Sequence, residues 1–330
     1  MTQNPGGFVV SLDFELHWGV RDRRSVEEYR DNLLGVRRAI PAILELFERY
    51  HIHATWATVG FLFFENVDEL RAALPNNVPM YREVRLNPYF ALQEVGRNER
   101  DDPFHFAPSL IRRILASEGQ EIGTHTFSHF YPLSPGPKLE SFRDDLRCAK
   151  SVASRYGIVL RSIVFPRNQI SRQHLHICME EGLIAYRSTE GDRLIEKANH
   201  PLGRMMRLAD SYIRLSGDGC VSPSVDEEYP LVKVSSSRFL RPWGGALKGL
   251  ERARLWRICA SMDAAAMWNQ TFHLWWHPHN FGIHLKENME FLTRIAEHYS
   301  NLNSRTGWPS RSMSEVAQNV MQAEAPKCLT

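Results

Sequence analysis

Phe8-Val9-Val10-Ser11-Leu12-Asp13-Phe14, followed by Glu15, is the stretch on which the reading of this chain turns. A short run this apolar has the composition of a strand buried on both faces, as in a parallel sheet covered by helices. Asp13 and Glu15 lie two residues apart at its carboxyl end. The strand's period of two aims both side chains to one face. Parallel α/β folds build their sites at the carboxyl ends of the strands, where a carboxylate pair can serve as metal ligand plus base. Judged alone, the pair fits a solvated strand end better, because Asp and Glu are common where strands give way to loops.

The same rhythm continues outward. Leu33, Leu34, Val36, Ile40, Ile43, Leu44 and Phe47 recur at helical spacing and predict a helix over 30–50. Strands are expected at 53–59, 121–124, 161–165 and 271–277. Helices are expected at 66–74, 111–117, 139–156 (stopped by Gly157), from Ser171 to a stop at Gly182, and at 286–300. This alternation predicts one α/β domain over residues 1–330, with a parallel sheet either open or closed into a barrel. Only 75–108 breaks the pattern, being rich in Pro, Asn and charge, and it is expected to be an inserted lid or a mobile excursion.

Composition narrows the function. A hydrophobic content of 43% and a formal charge of +2 suit a large core and do not suggest a nucleic-acid partner. The N-terminus has no basic and apolar leader, no run reaches membrane-spanning length, and the five cysteines are scattered without knuckle or redox spacing. A cytoplasmic protein with reduced thiols is the expectation.

Three further motifs could carry chemistry. In Glu121-Ile122-Gly123-Thr124-His125-Thr126-Phe127-Ser128-His129, two imidazoles four residues apart would converge if the segment formed a helical turn. With one carboxylate they would suit zinc, cobalt, iron or nickel. Phe165-Pro166-Arg167-Asn168-Gln169 places an arginine just beyond a buried strand, where its fork could hold Asp13 ionised. Thr271-Phe272-His273-Leu274-Trp275-Trp276-His277-Pro278-His279-Asn280 ends a buried strand in histidines, of which His277 could protonate a leaving amine. His273 and His279 also fit structural roles.

Together, and in this order along the chain, these motifs resemble those of the polysaccharide deacetylases of the NodB-homology, carbohydrate esterase 4-like family. The resemblance covers most of the chain and is sharpest over His125–His129. It implies a distorted (β/α) barrel of about seven strands. It implies one divalent metal ion on Glu15, His125 and His129, zinc first, with cobalt, nickel, iron or manganese possible. Asp13 would be the base, Arg167 would orient it, His277 would be the acid, and Asp210 in Leu208–Tyr212 would support that histidine. Two local departures stand out: Phe14 separates the carboxylates that are usually adjacent, and Phe165-Pro166-Arg167-Asn168 replaces the usual Arg-x-Pro-Tyr.

The implied reaction is hydrolysis of an N-acyl amide, most simply N-acetyl, on a sugar. Without a leader, a nucleotide- or lipid-linked precursor of surface polysaccharide or O-antigen is the expected substrate. Arg238, Arg241, Lys248, Arg252, Arg254 and Arg257 could grip its diphosphate or line a solvated helix face. A deformylase, a cyclic-amide hydrolase and a non-catalytic carbohydrate-binding relative are the alternatives. A glycosidase built on Asp13 and Glu15 would leave the histidine pair unexplained.

Overall fold

The computed structural model describes residues 6–189 and 217–324. Strand β1 (Gly7–Phe14) is buried along its whole length, as its composition demands. It pairs in parallel with β2 (Ala54–Thr58) on one side and β9 (Thr271–Trp276) on the other. The sheet continues from β2 through β3 (Gln120–Thr124), β4 (Ser162–Ile163) and β5 (Ala185–Ser188) to β7 (Val232–Ser235), all parallel. The short β6 (Ser224–Val225) runs antiparallel to β7. Beyond β7 the chain goes directly into β8 (Arg238–Phe239), which pairs with β9. At the crossover the Ser236 amide donates to Ser188 O and the Ser237 amide to His273 O, at 3.0 and 2.8 Å. Residues 232–239 thus act as one strand that binds β5 with its first half and β9 with its second. The result is a distorted barrel with seven staves: β1, β2, β3, β4, β5, β7–β8 and β9.

Helices cover the outside of this barrel. Helix α1 (Val26–Tyr50) starts four residues before its expected position because Ser25 and Glu28 form a reciprocal cap. Next come α2 (Val67–Ala72), α3 (Pro88–Ala91), α4 (Pro108–Leu115), α5 (Leu139–Ser154), α6 (Arg172–Glu180), α7 (Glu251–Met267) and α8 (Leu285–Thr306). Phe8, Val10, Leu12 and Phe14 face these helices, while Val9 faces the barrel interior with Ala57, Val164, Ala185, Val232 and Val234. A last helix, α9 (Met313–Glu324), plugs the amino-terminal end of the barrel with Met313, Val316, Ala317 and Val320. Its start is tied down: the Met313 amide donates to Thr55 and the Ser314 amide to Glu121. Two-residue β10 (Ser310–Arg311) leads into it and pairs with β1.

The segment 75–108 is packed down. Phe106 and Ala107 are buried, and His105 bonds His17 at 2.9 Å and Asp102 at 2.8 Å. Arg21 donates to the carbonyls of Arg85 and Leu86. The segment thereby braces the loop that follows β1. No described helix is long and apolar enough to cross a membrane. Cys148, Cys178, Cys220 and Cys259 are free thiols.

Candidate active site

The alternation that sends Val9 inward sends Ser11 and Asp13 inward too, nearer the carboxyl-terminal mouth. Here a cavity of about 340 Å³ opens, lined in part by Asp13, Glu15, His125, His129, Trp275 and His277. Among the described residues, none of 75–108 lines it.

Asp13 is gripped by an arginine, but not the expected one. Arg187 on β5 donates to its two carboxylate oxygens at 2.6 and 2.8 Å, forming a bidentate pair away from solvent. The same guanidinium donates to Ser11 and Asn168 and lies 4.2 Å over the Trp275 ring. Burial works to raise the Asp13 pKa, but the Arg187 charge, aided by His125 and His277, holds it below the ordinary carboxylate value. Arg167, expected in this role, bonds Asp22 instead and lies 4.3 Å over the Tyr131 ring. The reason is geometric. Position 187 is an inward position of a strand level with Asp13, whereas β4 ends at Ile163 and Arg167 falls in a turn at the rim, with φ 56°. The motif still reaches the site through its neighbour, Asn168. An arginine inside the short strand Ala185-Tyr186-Arg187-Ser188 was the sequence signal for the missed residue, since a lone charge in a buried strand requires a partner.

His125 and His129 converge, though not on a helical turn as the spacing suggests. They sit in a loop after β3 in which Thr126 and His129 both have positive φ, 65° and 59°. Such positions cost on the order of 1–3 kcal/mol each and persist only when the surroundings hold them. Here Asp145 on α5 accepts the Phe127 and Ser128 amides and the Ser128 hydroxyl, while the Phe130 amide donates to Thr126 Oγ1. Those amides cannot then enter a helical ladder. Burial pushes the Asp145 pKa up to about 7 against these donors.

The two imidazoles meet Glu15, with His129 Nε2 and His125 Nε2 at 3.0 and 3.3 Å from Glu15 Oε2. Their other nitrogens are occupied: His125 Nδ1 by Val164 O at 2.8 Å and His129 Nδ1 by the Tyr131 hydroxyl at 3.0 Å. This leaves both Nε2 atoms directed at one point, the arrangement that orients histidine ligands. Burial lowers the His129 pKa to about 4, so the ring is neutral near pH 7, as a ligand must be. Burial favours protonation of Glu15, but His277, His125 and His129 outweigh it and hold its pKa well below the ordinary value. One carboxylate oxygen and two imidazole nitrogens, all within 4.8 Å of one another, fit a divalent transition ion. Gly19 is part of this fit, because a Cβ there would come 1.9 Å from the Glu15 carboxyl carbon.

His277 completes the centre. Its Nε2 lies 3.7 Å from Asp13 Oδ2 and 3.6 Å from Glu15 Oε1. His279, past the proline, also lines the cavity and stacks on His277 at 5.0 Å, with its pKa pushed down to about 3 by burial and the neighbouring ring. His273 lies deeper, bonded to Ser11 at 2.8 Å and held neutral by burial. Asp210 lies outside the described residues. Of the basic region after residue 237, Arg254 and Arg257 are buried, the first bonded to Glu251 and the second to Asp218 and Ser261. They serve packing, and no member of the six lines the cavity.

No protein-family model matches the sequence, and no curated protein does so significantly. Solved structures do. A protein described as a polysaccharide deacetylase from Mycobacterium smegmatis matches with a TM-score of 0.57 at 14% identity, over 99% of this chain and 95% of its own. A second so described, from Pseudomonas aeruginosa PAO1, gives 0.56 at 13% identity, over 97% and 91%. The Puue allantoinase gives 0.56 at 12% identity, over 97% and 90%. Identities this low report the fold, and the fold is the NodB-type barrel of the polysaccharide deacetylases. Within that barrel this chain places a carboxylate and two histidines beside an arginine-held aspartate.

Proposed function

We propose that this chain is a metal-dependent hydrolase that removes an N-acyl group, most simply N-acetyl, from a sugar. The observation that carries the reading is the meeting in one cavity of three parts. These are a donor set of two histidines and a carboxylate, a separate carboxylate kept ionised by Arg187, and a histidine within 4 Å of both carboxylates.

An amide resists hydrolysis because its carbonyl is deactivated and its amine leaves poorly unless protonated. A divalent ion on Glu15, His125 and His129 would supply Lewis acidity and lower the pKa of a coordinated water. Asp13, ionised and fixed by two hydrogen bonds, is placed to take a proton from water. His277, with 24% of its side chain exposed to the cavity, can give a proton to the departing nitrogen. Trp275 and Phe239 pack edge-to-face against His277 and exclude water from one side of it.

The test is zinc-loaded protein incubated with N-acetyl sugars, with acetate release measured beside allantoin as a cyclic-amide control. We expect acetate from at least one sugar, one ion per chain, and loss of both in His125→Ala. His277→Asn should keep its ion and lose roughly two to four orders of magnitude in turnover. Full metal content in His125→Ala would remove the proposed centre. Turnover of allantoin alone would transfer the same residues to cyclic amides.

A further inference from the structure

The cavity mouth carries charge that the amide chemistry does not use. Asp22, on the loop after β1, lies among four guanidinium groups. Arg167 bonds its carboxylate, Arg23 stands 3.8 Å from it, and Arg85 donates to its backbone carbonyl at 3.5 Å. Arg21 anchors to the carbonyls of Arg85 and Leu86 beside them. Against these four stand Asp22 itself and Glu83, which pairs with Arg85. Glu15, whose charge also reaches Arg167, belongs to the donor set for the ion, so within this cluster the arginines stay in excess of the carboxylates. The two arginines that line the cavity, Arg23 and Arg167, have 70% and 26% of their side chains exposed. Asp13 cancels none of this excess, since Arg187 already neutralises it.

Size points the same way. At about 340 Å³ the cavity lies at the small end of ligand sites, near 300–1,000 Å³. A sugar whose amide reaches Asp13 and His277 fills much of it, and any larger substituent must leave through the mouth past Arg23 and Arg167. Guanidinium groups bind phosphate oxygens through forked hydrogen bonds that a neutral substituent cannot offer.

We propose that Arg23 and Arg167 form an anion subsite, and that the substrate is an N-acyl sugar bearing a diphosphate. Nucleoside and polyprenyl diphosphates share the required chemistry. This inference rests on the amide-hydrolase reading for the position of the sugar, but the subsite can be read without catalysis.

The experiment is calorimetric titration of the zinc-loaded protein with UDP and with geranyl diphosphate, neither of which contains the amide to be cleaved. Uridine and geraniol serve as uncharged controls. Both diphosphates should bind, the controls should not, and Arg23→Glu should weaken binding roughly ten- to a hundredfold, the loss of a charge-assisted contact. Arg23 is largely exposed, so its replacement disturbs no packing, and circular dichroism checks that Arg167→Gln, the companion variant, is folded. The tighter of the two ligands identifies the source of the diphosphate. Unchanged affinity in both folded variants would overturn the subsite, because binding would then rest on the metal alone. Arginine-dependent binding without acetate release would keep the subsite and sink the hydrolase. Equal turnover of free and diphosphate-linked N-acetyl sugars, with no Arg23 dependence, would do the reverse.

Discussion

Arg187 and Asp13 form a bidentate ion pair almost wholly out of water. Removing one partner of such a pair leaves an uncompensated buried charge, at a cost of about 3–5 kcal/mol. Arg187→Ala should therefore lower stability by that order and raise the Asp13 pKa, moving the acidic limb of the pH–rate profile upward. Arg187→Lys keeps the charge and loses the fork, so it should fold better than the alanine variant while turnover falls with metal content intact. A lysine variant as active as wild type would show that charge alone, without orientation, sustains Asp13. Sequence spacing found Asp13, Glu15, His125, His129 and His277, which the structure brings to one cavity. It gave the arginine to position 167 because that residue lies just past a buried strand. Which strand end stands level with Asp13 is a property of the sheet register, which local sequence does not contain.

At the scale of elements, α5 and α9 have separable tasks. Asp145 on α5 fixes the loop that carries His125 and His129, whereas Met313 at the start of α9 fills the far end of the barrel. Asp145→Ala frees the Phe127 and Ser128 amides that hold two left-handed residues nearby. It should weaken metal affinity by roughly 10–100-fold, as for other groups supporting ligands. Met313→Ala should destabilise the fold by about 2–5 kcal/mol, the usual range for emptying a core methionine site, with metal affinity retained. Urea denaturation beside a competitive chelator titration separates the two effects. Equal metal affinity in wild type and Asp145→Ala would refute the loop's dependence on α5. The long amphipathic helices and the buried strands were legible from periodicity. The two-residue strand β8, and the helix that plugs the barrel, were not, because a two-residue strand is defined by its neighbours.

For the whole molecule, buried histidines set the response to acid. His174, His273 and His279 have pKa values pushed by burial to about 4, 3 and 3, below the ordinary 6.5. Between those values and 6.5 the unfolded chain binds protons that the folded chain refuses, so each histidine removes up to about 1.4 kcal/mol per pH unit as pH falls. Asp145 acts in the opposite sense. Its pKa is raised from 3.8 to about 7, so its contribution is present at low pH and lost as pH rises through that range. With His17 and His129, both lowered to about 4, five histidines act against Asp145 and the Glu315-paired His53, whose pKa is raised, and predict a net loss of stability on acidification from about pH 6.5 to 4. Urea midpoints of the metal-free protein at pH 7, 6 and 5 should fall in that order. A flat or rising series would mean that these rings are protonated in the folded state.

The sequence by itself determined the β1 strand, its paired carboxylates, the four-residue spacing of His125 and His129 and the βα rhythm, because these are encoded by neighbours two to four residues apart. Only the tertiary structure decided that residues 232–239 close the barrel between β5 and β9, that Arg187 rather than Arg167 grips Asp13, and that Arg254 and Arg257 of α7 are spent on packing. Each of these depends on which distant segments share a level of the barrel. That is set by strand register and inward alternation around a closed sheet, not by spacing along the chain.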